Sequence, residues 1–165
     1  EVGIPFSDPM ADGPVIQESS AIALKNGMNL ELIFRQLNQI DCTVPIVLMG
    51  YFNPILKYGI ERFLQDCQAT GIASVILPDL SLEIYERFYS NLFEEYKICP
   101  SFLITPTTDK NRVQRIAEVC KNSFVYLVSS NATTGSESIK IDNNDVYSRM
   151  KSYCGSTPLF VGFGI

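Results

Sequence analysis

An α/β fold built on a parallel sheet is predicted by three observations. Short apolar runs recur along the chain with almost no polar alternation, as strands covered on both faces require. Amphipathic stretches of helical period separate these runs. The residues after the runs are rich in Pro, Asp, Ser, Thr and Gly, whereas the connections before them are plain. That asymmetry points to a (β/α)8 TIM barrel, whose chemistry gathers at the carboxyl ends of its strands. A doubly wound sheet is the alternative, and no Gly-x-Gly-x-x-Gly follows any run, which counts against its dinucleotide-binding form. A complete barrel takes roughly 250 residues. The 165 residues are therefore read as one incomplete barrel domain, 1–165, from the end of strand 2 through strand 7, lacking its first and last βα elements.

The chain opens on Glu1-Val-Gly-Ile-Pro-Phe-Ser-Asp-Pro-Met-Ala-Asp-Gly-Pro14. Val2, Ile4 and Phe6 fall on one face of an extended segment, and Glu1, Gly3 and Pro5 on the other. The second face is small apart from Glu1, which leaves room for a ligand beside a carboxylate. At a barrel mouth, partly shielded from water, such a carboxyl is suited to proton transfer. Asp8 and Asp12 lie in a loop bracketed by Pro5, Pro9, Gly13 and Pro14, where an Asp either bonds nearby backbone N–H groups or serves a site. A helical stretch begins at Ile16, with Ile16, Ile22, Ala23 and Leu24 available to pack.

Five further strands are expected: Val44 to Tyr51, Ala73 to Pro78, Pro100 to Thr105, Ser123 to Val128 and Pro158 to Phe163. The helices between them follow from their stripes. Leu30, Ile33, Phe34, Leu37 and Ile40 share one face. Ile60, Phe63, Leu64 and Cys67 share another, with Gly71 as the stop signal. Tyr85, Phe88, Tyr89, Leu92, Phe93 and Tyr96 form a third stripe. Val113, Ile116, Ala117 and Cys120 follow Asp109 as N-cap, and Val146, Met150 and Tyr153 follow Asp142 in the same way. All of these stripes read as core. Asp79, after the third of the six strands, is expected to cap the helix or turn ahead of Leu82. Tyr126 is central in its strand, where a tyrosine packs in a core with its hydroxyl satisfied.

Composition narrows the chemistry. With 46% hydrophobic and 19% charged residues the chain is that of a soluble globular protein. A net charge of −5, with no Lys/Arg cluster, argues against nucleic acid as a partner. The longest apolar runs are too short to cross a bilayer. The five cysteines are odd in number and lack metal-ligand spacing, so they read as reduced, small apolar residues of a cytoplasmic protein. The chain contains no histidine, which removes Ser-His-Asp and Cys-His nucleophilic schemes and most zinc sites. Acid–base chemistry then falls to Asp, Glu, Lys, Tyr or Cys. Ser129-Ser-Asn-Ala-Thr-Thr-Gly135 and Gly162-Phe-Gly164, each after a late strand, could present backbone N–H groups to a phosphate.

The opening block resembles the signature of the tryptophan synthase alpha subunit family almost residue for residue. Pro45-Ile-Val-Leu-Met-Gly-Tyr-Phe-Asn-Pro54, Ile76-Leu-Pro-Asp79, Thr105-Pro-Thr-Thr108, Tyr126-Leu-Val-Ser129, Thr134-Gly135 and Gly162-Phe-Gly-Ile165 follow in the family's order. The resemblance implies a lyase that splits indole-3-glycerol phosphate into indole and glyceraldehyde 3-phosphate. Glu1 would be the acid–base group that protonates C3 of the indole, and Asp12 would accept the indole N–H and stabilise the indolenine cation. Ile16, Met49, Tyr51, Ile76, Leu103 and Tyr126 would line the indole slot. Thr134, Gly135, Phe163 and Gly164 would hold the phosphate.

No cofactor or metal is implied in this subunit. Pyridoxal phosphate is expected in a beta subunit that assembles with it as two alpha and two beta chains, contacted through Pro5, Asp8 and Asn53. Two stretches depart from the family's pattern. Ser130 and Ala132 stand where Arg and Gly are usual, and Ser81 stands where Pro is common. Ala132 restricts backbone angles that a glycine would allow. The alternative implied is a weakly active or inactive alpha subunit acting mainly as an allosteric activator of beta.

Overall fold

A computed structural model describes residues 1–128 and 144–162. The elements follow the chain as β1 (Val2–Gly3), α1 (Pro14–Lys25), α2 (Leu30–Leu37), β2 (Val47–Met49), α3 (Phe52–Tyr58), α4 (Ile60–Ala69) and β3 (Ser74–Ile76). After them come α5 (Leu82–Phe88), α6 (Ser90–Glu95), β4 (Cys99–Ser101), β5 (Leu103–Ile104), α7 (Lys110–Val119), β6 (Val125–Val128), α8 (Asn144–Cys154) and β7 (Leu159–Gly162). Each expected strand is present, and every strand pairing is parallel.

Strand order decides between the two architectures. It runs β1-β2-β3-β4 and then β5-β6-β7, in chain order with no reversal. A doubly wound sheet reverses its order at a switch point, whereas a barrel does not. β4 and β5 are one strand interrupted at Phe102, and Tyr126 N–H donates to the Phe102 carbonyl at 3.0 Å, so the ladder continues across the break. The sheet also curls: Tyr126, on β6, lines the same cavity as Glu1 and Gly3 beside β1.

Alternation gives each strand an outer and an inner face. Leu48, Val75, Val125 and Leu127 are fully buried under the helices, with Ile33, Phe34, Phe63, Phe93 and Val113 opposite them. The inner face carries Met49, Ser74, Ile76, Ser101 and Tyr126. Ser74, Ser101 and Ser123 hydrogen-bond one another in a closed ring, at 2.9, 2.6 and 2.7 Å. Each hydroxyl can donate once and accept once, so this patch of the interior is polar without an unmet group.

Local signals explain most helix ends. Pro14 opens α1 at a position whose N–H has no helical partner. Asn29 and Asp109 cap α2 and α7 with their side chains. Gly71, at φ +72°, turns the chain out of α4 while Ile72 N–H reaches back to the Cys67 carbonyl.

Four expectations need correction. Ile40, read with the core stripe of α2, lies past the end of that helix and is 57% exposed. Asp79 does not cap the helix ahead of Leu82; Ser81 does, accepting from Ile84 N–H at 3.3 Å. Asp79 Oδ1 instead accepts from Phe52 N–H at 2.8 Å and so caps α3, a helix the sequence reading did not contain. The aromatic stripe from Tyr85 to Tyr96 is two helices, broken at Tyr89, and Phe88 is exposed. Tyr89 turns to pack edge-on against Phe52, with ring centres 5.1 Å apart. Finally, α1 has no buried residue, and Ile22 is 53% exposed. Asp142, expected to cap α8, lies outside the described residues.

Candidate active site

A cavity of about 580 Å³ opens where the connections after β1, β2 and β3 meet β6. Glu1, Asp12, Met49, Tyr51 and Tyr126 all line it, drawn from parts of the chain up to 125 residues apart (Glu1 to Tyr126). Glu1 and Gly3 both line the cavity, and a Cβ at Gly3 would meet nothing within 4 Å; Glu1 itself is exposed, not partly shielded from water as expected. Asp12 comes from the loop between β1 and α1, its N–H donating to the Pro9 carbonyl at 3.1 Å and its own carbonyl accepting from Gln17 Nε2 at 2.8 Å. Pro14 and α1 follow directly, so Asp12 sits where an irregular loop becomes a helix.

Tyr51 is the hinge of the polar side. Its hydroxyl donates to Asp12 Oδ2 at 3.0 Å and accepts the Ala11 N–H at 2.8 Å. Its ring is 5% exposed and lies 5.2 Å from Phe6. Burial raises its hydroxyl pKa to about 12, with the Asp12 charge adding to the effect and the Ala11 N–H opposing it. Burial likewise raises Tyr126, and the Glu1 charge pushes it further in the same direction. Both phenols are therefore neutral donors at physiological pH.

Gly162 on β7 makes room for Tyr126. A Cβ placed there would stand 1.8 Å from the Tyr126 hydroxyl oxygen and 2.4 Å from the ring. The bare backbone is what allows the phenol to lie across the neighbouring strand.

Of the expected slot residues, Ile16, Met49, Tyr51 and Tyr126 meet at this cavity. Ile76 and Leu103, on β3 and β5, are not among its lining residues. Thr134, Gly135, Phe163 and Gly164, together with Ser130 and Ala132, lie outside the described residues. Pro78, Ser19 and Ser20 also line the cavity and were not anticipated. Pro78 ends the β3 run and could have been read as a strand-exit residue; the two serines carry no signal that separates them from a solvated helix face.

A second cleft of about 560 Å³ lies outside the first and is lined by Pro5, Asp8, Asn53, Lys57 and Tyr58. It gathers the three residues expected to face a partner, and Pro5 borders both cavities. Among the described residues no cluster of three or more His, Cys, Asp or Glu could hold a metal ion, and no helix is long and apolar enough to cross a membrane.

Strand order and cavity together define a protein of the (β/α) barrel class with its candidate site at the carboxyl ends of the strands. A family model described as tryptophan synthase alpha chain matches residues 1–165, and the chain belongs to that family. It is 49% identical over 169 residues to the tryptophan synthase alpha chain of Flavobacterium psychrophilum, with all of this chain and 66% of that one covered. To the alpha chain of Petrotoga mobilis it is 46% identical over 168 residues, covering 64% of it. Among solved structures, the tryptophan synthase complex of Pyrococcus furiosus matches at TM-score 0.85 and 38% identity, over 99% of this chain and 65% of that one. Mycobacterium tuberculosis tryptophan synthase matches at TM-score 0.86 and 30% identity, over 100% and 63%. The chain thus spans just under two thirds of the length of these relatives.

Proposed function

We propose that the protein to which these residues belong cleaves indole-3-glycerol phosphate to indole and glyceraldehyde 3-phosphate, as the alpha subunit of a tryptophan synthase. The observation that carries this reading is the convergence of Glu1, Asp12 and Tyr126 on one cavity with apolar walls. A retro-aldol cleavage needs a proton at C3 of the indole, which makes the ring an indolenine cation. It then needs loss of the side-chain hydroxyl proton, so that the carbon–carbon bond breaks, its electron pair returns to the ring and the aldehyde forms. Glu1 supplies the acid–base group. Asp12 accepts the indole N–H and stabilises positive charge that develops only on the way to the transition state. Ile16, Met49, Ile76 and Leu103 wall the indole, while Thr134, Gly135, Phe163 and Gly164 hold the phosphate.

The subunit needs no cofactor of its own; pyridoxal phosphate belongs to the beta partner, in a cytoplasmic complex of two alpha and two beta chains. Pro5, Asp8 and Asn53, gathered at the second cleft, support that contact. Residues 1–165 make the stretch from the end of strand 2 through strand 7. Phe160, 56% exposed on β7, the last strand of the sheet, supports that boundary. Cleavage is favoured over the activator-only alternative because both carboxylates are present and face one cavity.

The test is glyceraldehyde 3-phosphate release by the full-length protein with its beta partner. Glu1→Gln should lower kcat by about 10²–10⁴-fold, the range of a lost general acid–base group. Release equal in wild type and Glu1→Gln would sink the proposal.

A further inference from the structure

We infer that Tyr51 is a positioning residue for Asp12: its hydroxyl, held between the Ala11 backbone N–H and the Asp12 carboxylate, sets the orientation in which that carboxylate meets the indole N–H. The inference rests on the cleavage reading for its substrate, but the geometry stands apart from it. A carboxylate turns easily about its Cβ–Cγ bond, and Asp12 sits in a loop. The Tyr51 hydroxyl takes one of its oxygens, Oδ2, at 3.0 Å. The same hydroxyl accepts the Ala11 N–H at 2.8 Å. A hydroxyl that accepts a hydrogen bond becomes a stronger donor, so the two contacts reinforce each other and tie successive loop residues, 11 and 12, to one atom.

That atom is itself fixed. The Tyr51 ring is buried against Phe6. Its backbone is the N-cap of α3, whose first amide, Phe52 N–H, is held by Asp79 Oδ1 at 2.8 Å. A chain of contacts thus runs from the end of β3, through the end of β2, to the loop after β1. Because burial keeps the phenol protonated up to about pH 12, it remains a donor to Asp12 across the working range. A residue that only walled an apolar slot would be served equally well by Phe. The hydroxyl is what distinguishes the two roles.

Tyr51→Phe in the full-length protein with its beta partner keeps the ring and removes the contact. Charge on the indole develops in the transition state, so the loss belongs in kcat rather than KM. The expected result is a fall in kcat of about tenfold, a KM within about twofold of wild type, and no further fall when the change is made in an Asp12→Asn background. An unchanged kcat, or the same loss in that background, would overturn the inference. Two readings do not depend on turnover. In Tyr51→Phe the Ala11 amide should exchange with solvent faster while the α3 amides do not, and the Asp12 carboxyl carbon resonance should shift. If neither changes, Tyr51 does not position Asp12. Wild type that releases no product would defeat the cleavage reading alone, and the amide and carboxyl measurements would still decide this one.

Discussion

Gly162 and Tyr126 are where single atoms matter most. With 1.8 Å between a Cβ at position 162 and the Tyr126 oxygen, Gly162→Ala forces the phenol or the β6–β7 register to move. Overpacking of this kind costs about 1–3 kcal/mol, and urea unfolding of the full-length protein should register it. An unchanged midpoint would mean that the ring swings aside freely. Glu1 stood out in the sequence as a lone charge beside Gly3 and Pro5 at a strand exit, whereas Asp12 was told apart from the other carboxylates only by the family resemblance. Tyr51 was legible only as an apolar wall. Its hydroxyl partner lies 39 residues away, and no local pattern records a contact across that distance.

Elements show the same division. The caps at Asn29 and Asp109 are local, each within three residues of the amide it serves; Asp109 was read directly from the sequence, and Asn29 was not. Ser81 caps α5 in the same manner, so Ser81→Ala should cost about 0.5–2 kcal/mol, measured as a lowered unfolding midpoint. Asp79→Ala should instead speed hydrogen exchange at Phe52 and leave Ile84 unaffected. Faster exchange at Ile84 in that variant would restore the cap to Asp79. The helix α3 was missed because its N-terminal amide is satisfied by a side chain from another loop.

Between α5 and α7, Arg112 Nη1 donates to Glu83 Oε1 at 2.7 Å, and Arg115 pairs with Glu86. The Arg112 guanidinium holds the exposed Glu83 carboxyl down at about 2 from its ordinary 4.5. A lowered folded-state pKa contributes stability above the ordinary value and loses it as pH falls toward the folded one. The difference in thermal midpoint between wild type and Glu83→Gln should therefore be present above about pH 4.5 and close by about pH 2. A difference that persists undiminished at low pH would exclude the ion pair as its source. Because the pair is exposed, the difference should be small.

At the scale of the whole molecule, the core between sheet and helices carries the stability. Phe63, with no exposed surface, packs edge-on against Phe34 at 5.7 Å. Phe63→Ala should cost about 3–5 kcal/mol, measured by urea unfolding of the full-length protein; a cost under about 1 kcal/mol would mean that the site collapses or admits water. The periodicity of apolar residues by itself determined the strands, most of the helices and the class of fold. Those follow from local rules, the 2.0 and 3.6 repeats and the caps, that leave their mark in neighbouring residues. Only the tertiary structure decided that the sheet keeps chain order and curls, that Asp79 serves a helix other than its own, and that Tyr51 reaches Asp12. Each depends on which distant segments meet, and that is set by the packing of the entire sheet rather than by any stretch of it.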